Sequence, residues 1–338
     1  MRVFEIKDDW SFANIVVGER PEPEPGPYDV VVEMKMASLN ARDLIVPLRG
    51  YGRTTGALPL IPISDGAGVV VAAGDKVNRV TVGDRVCPTF FQKWVAGTPS
   101  PATLSSGLGG PLDGVMAERV CLSQEGVVRL PSSLSDAEAA TLPCAGLTAW
   151  SAVSTLGNVR PGERVLVQGT GGVALFTLAF AKAHGAHVTV ISSSGEKLER
   201  VRELGADATI NYRETPDWAR ASCTLTSDRG GYDLIVELGG AETLPLSLKA
   251  IRPGGTIATI GVLSGGEVSA SLGLIVTRQV RIQGVTVGHR DGFEAMLAAM
   301  VQHGIRSVLG QTFAFENFKA SLDHFKAGGH FGKTLVAF

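Results

Sequence analysis

Net charge, paired cysteines and long apolar runs are all scarce in this sequence, and each scarcity closes off a class of function. The 31 lysines and arginines stand against 33 aspartates and glutamates, a formal charge of −2. A near-neutral chain with no run of basic residues lacks the electrostatic footprint of a nucleic-acid binder or of a protein docked on an anionic membrane. No uninterrupted apolar stretch reaches the ~20 residues that span a bilayer. The opening residues, MRVFEIKDDW, hold no apolar signal core and read as a strand, which predicts a cytoplasmic location. Cys87, Cys121, Cys144 and Cys223 are scattered without CxxC spacing. That fits reduced thiols better than a disulfide framework.

What is present points to two packed domains. The chain has 338 residues, 44% hydrophobic and 19% charged, so apolar material for cores is ample. Forty-two glycines without low complexity predict many tight turns and a close backbone approach to a ligand. Residues 1–128 alternate short β-branched runs, such as Val30–Met36 and Gly68–Ala72, with Gly/Pro punctuation. Short strands without long periodic helices predict a small closed β-barrel. The Gly/Ser/Pro-rich stretch from Gly97 to Gly114 reads as a long surface loop.

Residues 129–290 change character. Ser135-Asp136-Ala137-Glu138 is a capping-box pattern opening an Ala-rich helix through about Ser154. Nearly all-apolar strands then alternate with helices: Arg164–Gln168, His187–Ser192, Tyr232–Leu238, Gly255–Gly261 and Arg281–Val287. That alternation predicts an α/β, doubly wound parallel sheet buried on both faces. Residues 291–338 carry short helices, Phe293–His303 and Phe315–Lys326, and a last strand, Lys333–Val336.

The strongest chemical signal is Gly169-Thr170-Gly171-Gly172-Val173-Ala174, directly after an apolar strand and opening an apolar helix. This is the GxGxxG/A pattern in its strand–turn–helix setting. The first glycine permits the turn, the second clears room for a pyrophosphate, and the helix N-terminus offers free N–H groups. The structural alternative is an ordinary glycine-rich turn. The second strand ends in Ser192-Ser193-Ser194, followed by Lys197, where an NAD-selective fold places a carboxylate. Small hydroxyls and a cation suit a 2′-phosphate, which favours NADP(H) over NAD(H). The competing view is that the serines cap the next helix and Lys197 is solvated.

The chain resembles the medium-chain dehydrogenase/reductase superfamily, in particular its zinc-independent, quinone-reductase-like and alcohol-dehydrogenase-like branch. The resemblance rests on Ala37–Leu44, Pro59–Gly68, Gly83-Asp84-Arg85-Val86, Leu142–Thr148, the 169–174 turn and Ile210-Asn211-Tyr212-Arg213. It implies a GroES-like barrel domain built from 1–128 and 291–338, with a Rossmann NADP-binding domain at 129–290. It also implies homodimers formed through the last Rossmann strand. For the cofactor it implies roles for Thr148, Gly169, Thr170, Gly171, Gly172, Val173, Ser192, Ser193, Lys197, Tyr212, Gly239, Gly261 and Val262, with Lys333 reaching the pyrophosphate.

The same resemblance tests the metal question. Zinc-dependent relatives place Cys where Asn40 stands, His where Ser64 stands and Cys or His at Cys144. Only Cys144 remains, and an amide and a hydroxyl are poor replacements, so no zinc is expected. For catalysis the resemblance implies Asn40 beside the nicotinamide and Tyr51 as a proton donor. Asp43 and Ser64 are supporting candidates, and Asp65 braces the barrel. The function expected is NADPH-dependent reduction of a small quinone or activated alkene. The alternatives are an NAD(P)-dependent alcohol–aldehyde interconversion and a nucleotide-binding protein without catalysis.

Overall fold

A computed structural model describes all 338 residues. The chain divides into two compact units: Met1–Leu147 together with Val287–Phe338, and Thr148–Thr286. These borders differ from the composition change at 128/129 and the expected return at 290/291. Residues 130–147 are helix-rich but dock on the barrel unit. Arg85 donates to Asp136 Oδ1 from Nε and Nη2 at 2.9 and 2.7 Å, and Cys87 Sγ lies 3.2 Å from Ala139 O. Composition registers a helix but not the surface that it covers.

The second unit holds a six-stranded, all-parallel sheet. Its strands run Ala208–Asn211, His187–Ser192, Arg164–Gln168, Tyr232–Glu237, Ile251–Thr259, Arg281–Gly284. Numbered within the unit this is the order 3-2-1-4-5-6 of a doubly wound dinucleotide fold. Val165, Leu166, Val167, Leu234, Ile235 and Val236 are buried to within 1%, which explains why these strands read as unbroken apolar runs. Each such side chain contributes about 1.5–3 kcal/mol on burial. The edge strand stops at Gly284, short of the expected Val287, and all four of its residues are exposed.

The helix expected through Ser154 opens as predicted, with Ser135 Oγ accepting from Glu138 N and Ser135 N donating to Glu138 Oε2. It then widens into π-helical turns at Leu142–Gly146 and Ser151–Thr155. Pro143 has no N–H for a regular helical ladder.

The barrel unit carries a seven-stranded sheet. Its path runs Leu309–Ala314, Lys333–Ala337, Asp29–Ser38, Asp65–Ala73, Arg85–Pro88, Val127–Arg129, with Arg119–Ser123 also pairing against Asp29–Ser38. Lys333–Ala337 pairs antiparallel with Asp29–Ser38, matching Leu335 to Ser38 and Val336 to Ala37. The C-terminal segment thus completes the GroES-like barrel around Val30, Val32, Val70, Met116, Phe318 and Val336.

The stretch 97–114 is not simply a surface loop. Ser100 caps a short helix, Pro101–Leu104, and residues 106–110 are buried. Arg42 holds this segment, donating to Leu108 O at 2.8 Å and Gly110 O at 2.9 Å, with its guanidinium 4.8 Å from the Phe90 ring centroid. Gly109 has a φ of +65°, and a Cβ there would fall 2.7 Å from the Ile63 carbonyl carbon. The glycine-rich composition serves close packing here, not exposure.

Candidate functional site

In the nucleotide unit, Gly169 adopts a φ of +80°, and Gly171 starts helix Gly172–Ala183 without any side-chain cap. A Cβ on either glycine would meet nothing within 4 Å. The turn therefore leaves open space at an uncapped helix N-terminus, which fits a dinucleotide pyrophosphate. Thr170 and Ala174 are buried, and the partly exposed Gly172 and Val173 form the first helical turn.

The turn is wired to the next strand end by Gln168. Its Oε1 accepts from Leu238 N and Gly239 N, both at 3.0 Å. Its Nε2 donates to Glu237 Oε2 at 2.6 Å and Ser247 Oγ at 3.0 Å. Glu237, with no exposed surface, also accepts from Gly239 N, Gly240 N, Thr243 Oγ1 and Ser247 Oγ. Sequence reasoning passed over Glu237. The available signal was a carboxylate ending the otherwise apolar run Leu234-Ile235-Val236. Gly261 is required where it stands, since a Cβ would lie 1.8 Å from Leu238 O. Val262 beyond it is 54% exposed, and Thr148, the first residue of this unit, is buried.

At the second strand end the two readings of the serines divide between residues. Ser194 caps helix Gly195–Glu203, accepting from Lys197 N. Ser192 is buried at the strand end with its carbonyl bonded by Tyr212 N at 3.0 Å, and Ser193 is half-buried between them. Burial lowers the Lys197 ammonium below the usual lysine value, opposed by Glu196 and reinforced by Arg200. Arg200, three residues on along the same helix, is a second cation that the sequence reading missed; the i,i+3 spacing was the clue. Tyr212 is 40% exposed, and Arg213 beside it is exposed too.

The barrel unit gathers a separate polar cluster. Strand register creates it: Leu335 opposite Ser38 puts Lys333 opposite Asn40, and Ser38 opposite Asp65 brings in Ser64. Lys333, only 4% exposed, donates from Nζ to Leu39 O and Asn40 Oδ1. Asn40 N donates to Asp43 Oδ2 at 2.7 Å. Ser64 Oγ donates to Asp65 Oδ1 at 2.7 Å, and Cys144 N to Asp65 Oδ2 at 2.9 Å. Asp65 thereby braces the barrel against the 142–146 turn. Just before it, the β-branched Ile63 holds a φ of +71°, a strained backbone for such a residue.

Burial governs the titration of this cluster. It pushes Asp43 up to about 6, against Arg42, the Asn40 N–H and Lys333, with Asp65 adding to the rise. Asp43 Oδ1 has no hydrogen-bond partner. Burial likewise raises Asp65 and the Cys144 thiol, and lowers Lys333 against the pull of Asp65, Cys144 and Asp43. Asn40 Nδ2 makes no hydrogen bond of normal geometry within the protein, although the amide stands near enough to Asp65 to favour its carboxylate. Tyr51 is 44% exposed, and its phenol is raised by burial and senses Arg42, Asp43 and Cys144. The structure thus brings Asn40, Asp43, Ser64, Tyr51 and Lys333 to one region.

This donor set does not fit zinc. Asn40 Oδ1 is taken by an ammonium, Ser64 Oγ donates its proton to Asp65, and the Cys144 thiol is driven away from the thiolate that a metal needs. No three His, Cys, Asp or Glu side chains come together to hold a metal ion.

Two known families match the chain. Residues 26–132 match the alcohol dehydrogenase GroES-like domain, and residues 172–302 the zinc-binding dehydrogenase domain. A zinc-type alcohol dehydrogenase-like protein of Schizosaccharomyces pombe is 40% identical over 92% of this chain and 91% of its own length. The crystal structure of an NAD-dependent alcohol dehydrogenase is 32% identical with a TM-score of 0.90, covering 100% of both chains. A quinone oxidoreductase of Pseudomonas syringae is 28% identical with a TM-score of 0.83, covering 100% of this chain and 99% of that one. No helix is long and apolar enough to cross a membrane.

Proposed function

Because the chain belongs to the medium-chain dehydrogenase/reductase superfamily, in its alcohol-dehydrogenase-like group, and is an oxidoreductase of that type, we propose that it uses NADPH to reduce a small quinone or activated alkene without catalytic zinc. The observation that carries this reading is the ammonium of Lys333 on the amide of Asn40, which stands where the resemblance places a metal ligand of zinc-dependent relatives. Without a Lewis acid, alkoxide formation in alcohol oxidation loses its usual support, whereas an activated C=C or quinone accepts hydride more readily. Bound NADPH supplies the hydride. Gly169, Gly171 and the helix start behind them would hold its pyrophosphate, with Thr148, Gly239, Gly261 and Val262 toward the nicotinamide. Asn40 would donate a hydrogen bond to the substrate oxygen, and Tyr51 would deliver a proton to the developing enolate or hydroquinone oxygen.

The second reading, an alcohol–aldehyde pair, is favoured by the names that its relatives carry. A third, nucleotide binding without turnover, shares the intact phosphate turn. NADPH consumption with 1,2-naphthoquinone, enones and aldehydes in parallel separates all three. Quinone or enone turnover exceeding aldehyde turnover is expected, and no turnover with any class overturns the enzyme reading for a reductase.

Cofactor preference is tested at Ser192 and Lys197. With no carboxylate at this strand end, a charge-assisted bond to the 2′-phosphate is worth about 1.5–3 kcal/mol, or about tenfold and more in affinity. Lys197→Ala should weaken NADPH binding much more than NADH binding, and Ser192→Asp should reverse the preference. The NAD-dependent relative makes this worth measuring. Wild-type protein that binds NADH at least as tightly, with Lys197→Ala changing neither, refutes the phosphate pocket.

A homodimer, in a cytoplasmic setting, belongs to the same proposal. Arg281–Gly284 is an exposed edge of the parallel sheet, Ile282 is 43% exposed, and Leu272 and Val276 nearby are 75% and 72% exposed. An unprotected edge of this kind suits pairing with a second copy. Ile282→Lys should convert a dimer to a monomer in sedimentation analysis; a monomeric wild type rules the dimer out.

A further inference from the structure

We propose that Lys333 is a positioning residue: it fixes the direction of the Asn40 amide, so that Nδ2 is the end offered to a substrate oxygen. The proposal rests on the reductive reading above and adds how a buried cation does part of the work that a metal would do.

An amide side chain has nearly the same shape in either flip, so packing alone sets its direction poorly. An ammonium has only donors. Lys333 Nζ can bond Asn40 through Oδ1 and cannot bond it through Nδ2, and the observed contact is with Oδ1. Leu39 O takes a second proton of the same ammonium, so Nζ is held from two sides. The backbone of Asn40 is pinned independently by Asp43 Oδ2. With the main chain fixed and Oδ1 claimed, Nδ2 is the one group of Asn40 left without a well-formed bond; it lies on the side of Asp65, whose carboxylate favours the same flip and can occupy only one of its two N–H donors. Reversing the amide would set N–H against N–H⁺ in a buried setting, which is strongly disfavoured. The same ammonium places a positive charge one amide away from the oxygen on which negative charge develops during reduction.

This role differs from reaching a cofactor pyrophosphate: the two acceptors that hold Lys333 Nζ lie in the 39–40 segment of the barrel unit. The two roles predict different kinetics. If Lys333 acts through Asn40, Lys333→Met lowers kcat by about a hundredfold, the scale of losing one oxyanion donor, while the NADPH Kd stays within about threefold. Lys333→Arg, which keeps a donor-rich cation, restores at least about tenfold of that loss. Adding Lys333→Met to Asn40→Ala costs no more than about threefold further, since both changes disable one amide. A tenfold rise in the NADPH Kd with kcat unchanged, or losses that simply multiply, overturns the proposal.

A measurement without substrate keeps this test separate from the proposed reaction. The chain has six asparagines. In asparagine-labelled protein the Asn40 side-chain NH₂ pair is assigned by its loss in Asn40→Ala. Lys333→Met should shift and broaden that pair and Lys333→Arg should not; a pair unmoved by Lys333→Met refutes the positioning role even if a reductase activity is found. A wild type inert toward every carbonyl class defeats the reductive reading and leaves this result to stand by itself. Should Lys333→Met fail to fold, Asn40→Asp tests the pair from the other side. Its carboxylate accepts from Lys333 through either oxygen and offers no donor, so kcat should fall as in Asn40→Ala with the NADPH Kd unchanged; full activity in Asn40→Asp refutes the proposal.

Discussion

Glu237→Ala should destabilise the nucleotide unit by about 3–5 kcal/mol, the range for removing one side of a buried charged network. The carboxylate is completely buried and accepts from Gln168, Thr243, Ser247 and the N–H groups of Gly239 and Gly240. Alanine leaves these donors in a dry cavity without an acceptor. Gln168 and Ser247 retain some of each other's bonding capacity, so the loss stays below the sum of the separate bonds. NADPH affinity should fall too, because Gly239 and Gly240 lose the groups that hold their backbone. Glu237→Gln keeps the volume but turns a donor toward Gln168 Nε2 or Ser247, and should fall between wild type and alanine. Urea unfolding together with fluorescence titration of NADPH measures both effects. A shift under about 1 kcal/mol in Glu237→Ala would mean that water or rearranged hydroxyls replace the carboxylate.

Stability of the barrel unit should decline as pH rises from about 4 to about 6 by up to about 3 kcal/mol on account of Asp43 alone. Burial moves this carboxyl from 3.8 to about 6. Between those values the folded protein retains a proton that the unfolded chain has released, so the fold is favoured at the acid end and loses that advantage above pH 6. Several surface carboxylates, among them Glu118 and Asp207, are shifted downward by ion pairs and hydrogen bonds and act in the opposite sense at lower pH. The comparison must therefore be differential. Asp43→Asn can still accept from Asn40 N, cannot ionise, and should gain stability relative to wild type across this window. Urea midpoints of the two proteins at pH 4, 5, 6 and 7 give the difference directly. Parallel curves would show that Asp43 ionises at its ordinary value.

Local signals and long-range ones were legible to different degrees. Arg164–Gln168 and His187–Ser192 stand in the fold where the sequence places them, because a strand buried on both faces is apolar without interruption. The glycine turn follows at once, since a strand, a turn and a helix in a row constrain one another. Ala208–Asn211 is marked as a strand by the resemblance before Tyr212 but not by its own residues: it has four, only Ile210 among them is well buried, and helix Trp218–Thr224 beyond it is just seven residues long. In 97–114 the glycines suggested exposure, whereas Arg42, far away in sequence, pulls the segment inward through two carbonyls. The individual residues Asn40, Asp43 and Ser64 were visible as motif positions. Their assembly with Lys333 was not, because antiparallel register joins residues that no local pattern connects.

That register also sets an order of folding events. Asn40 and Lys333 are 293 positions apart, and the whole nucleotide unit, Thr148–Thr286, lies between them. During synthesis the strands up to Val127–Arg129 are available long before Lys333–Ala337, and the nucleotide unit can nucleate on its own parallel sheet in the meantime. Closing so long a connection adds little free energy per added residue, about 0.6 kcal/mol for each doubling, but it makes the last strand pairing a late, non-local step. A nascent barrel therefore carries Asn40, Asp43 and Asp65 with Arg42 beside them but without the ammonium of Lys333, their carboxylates still hydrated. The main counter-charge to the buried Asp65 arrives with the ammonium on the final strand, so the chemistry of the site is withheld until the barrel closes.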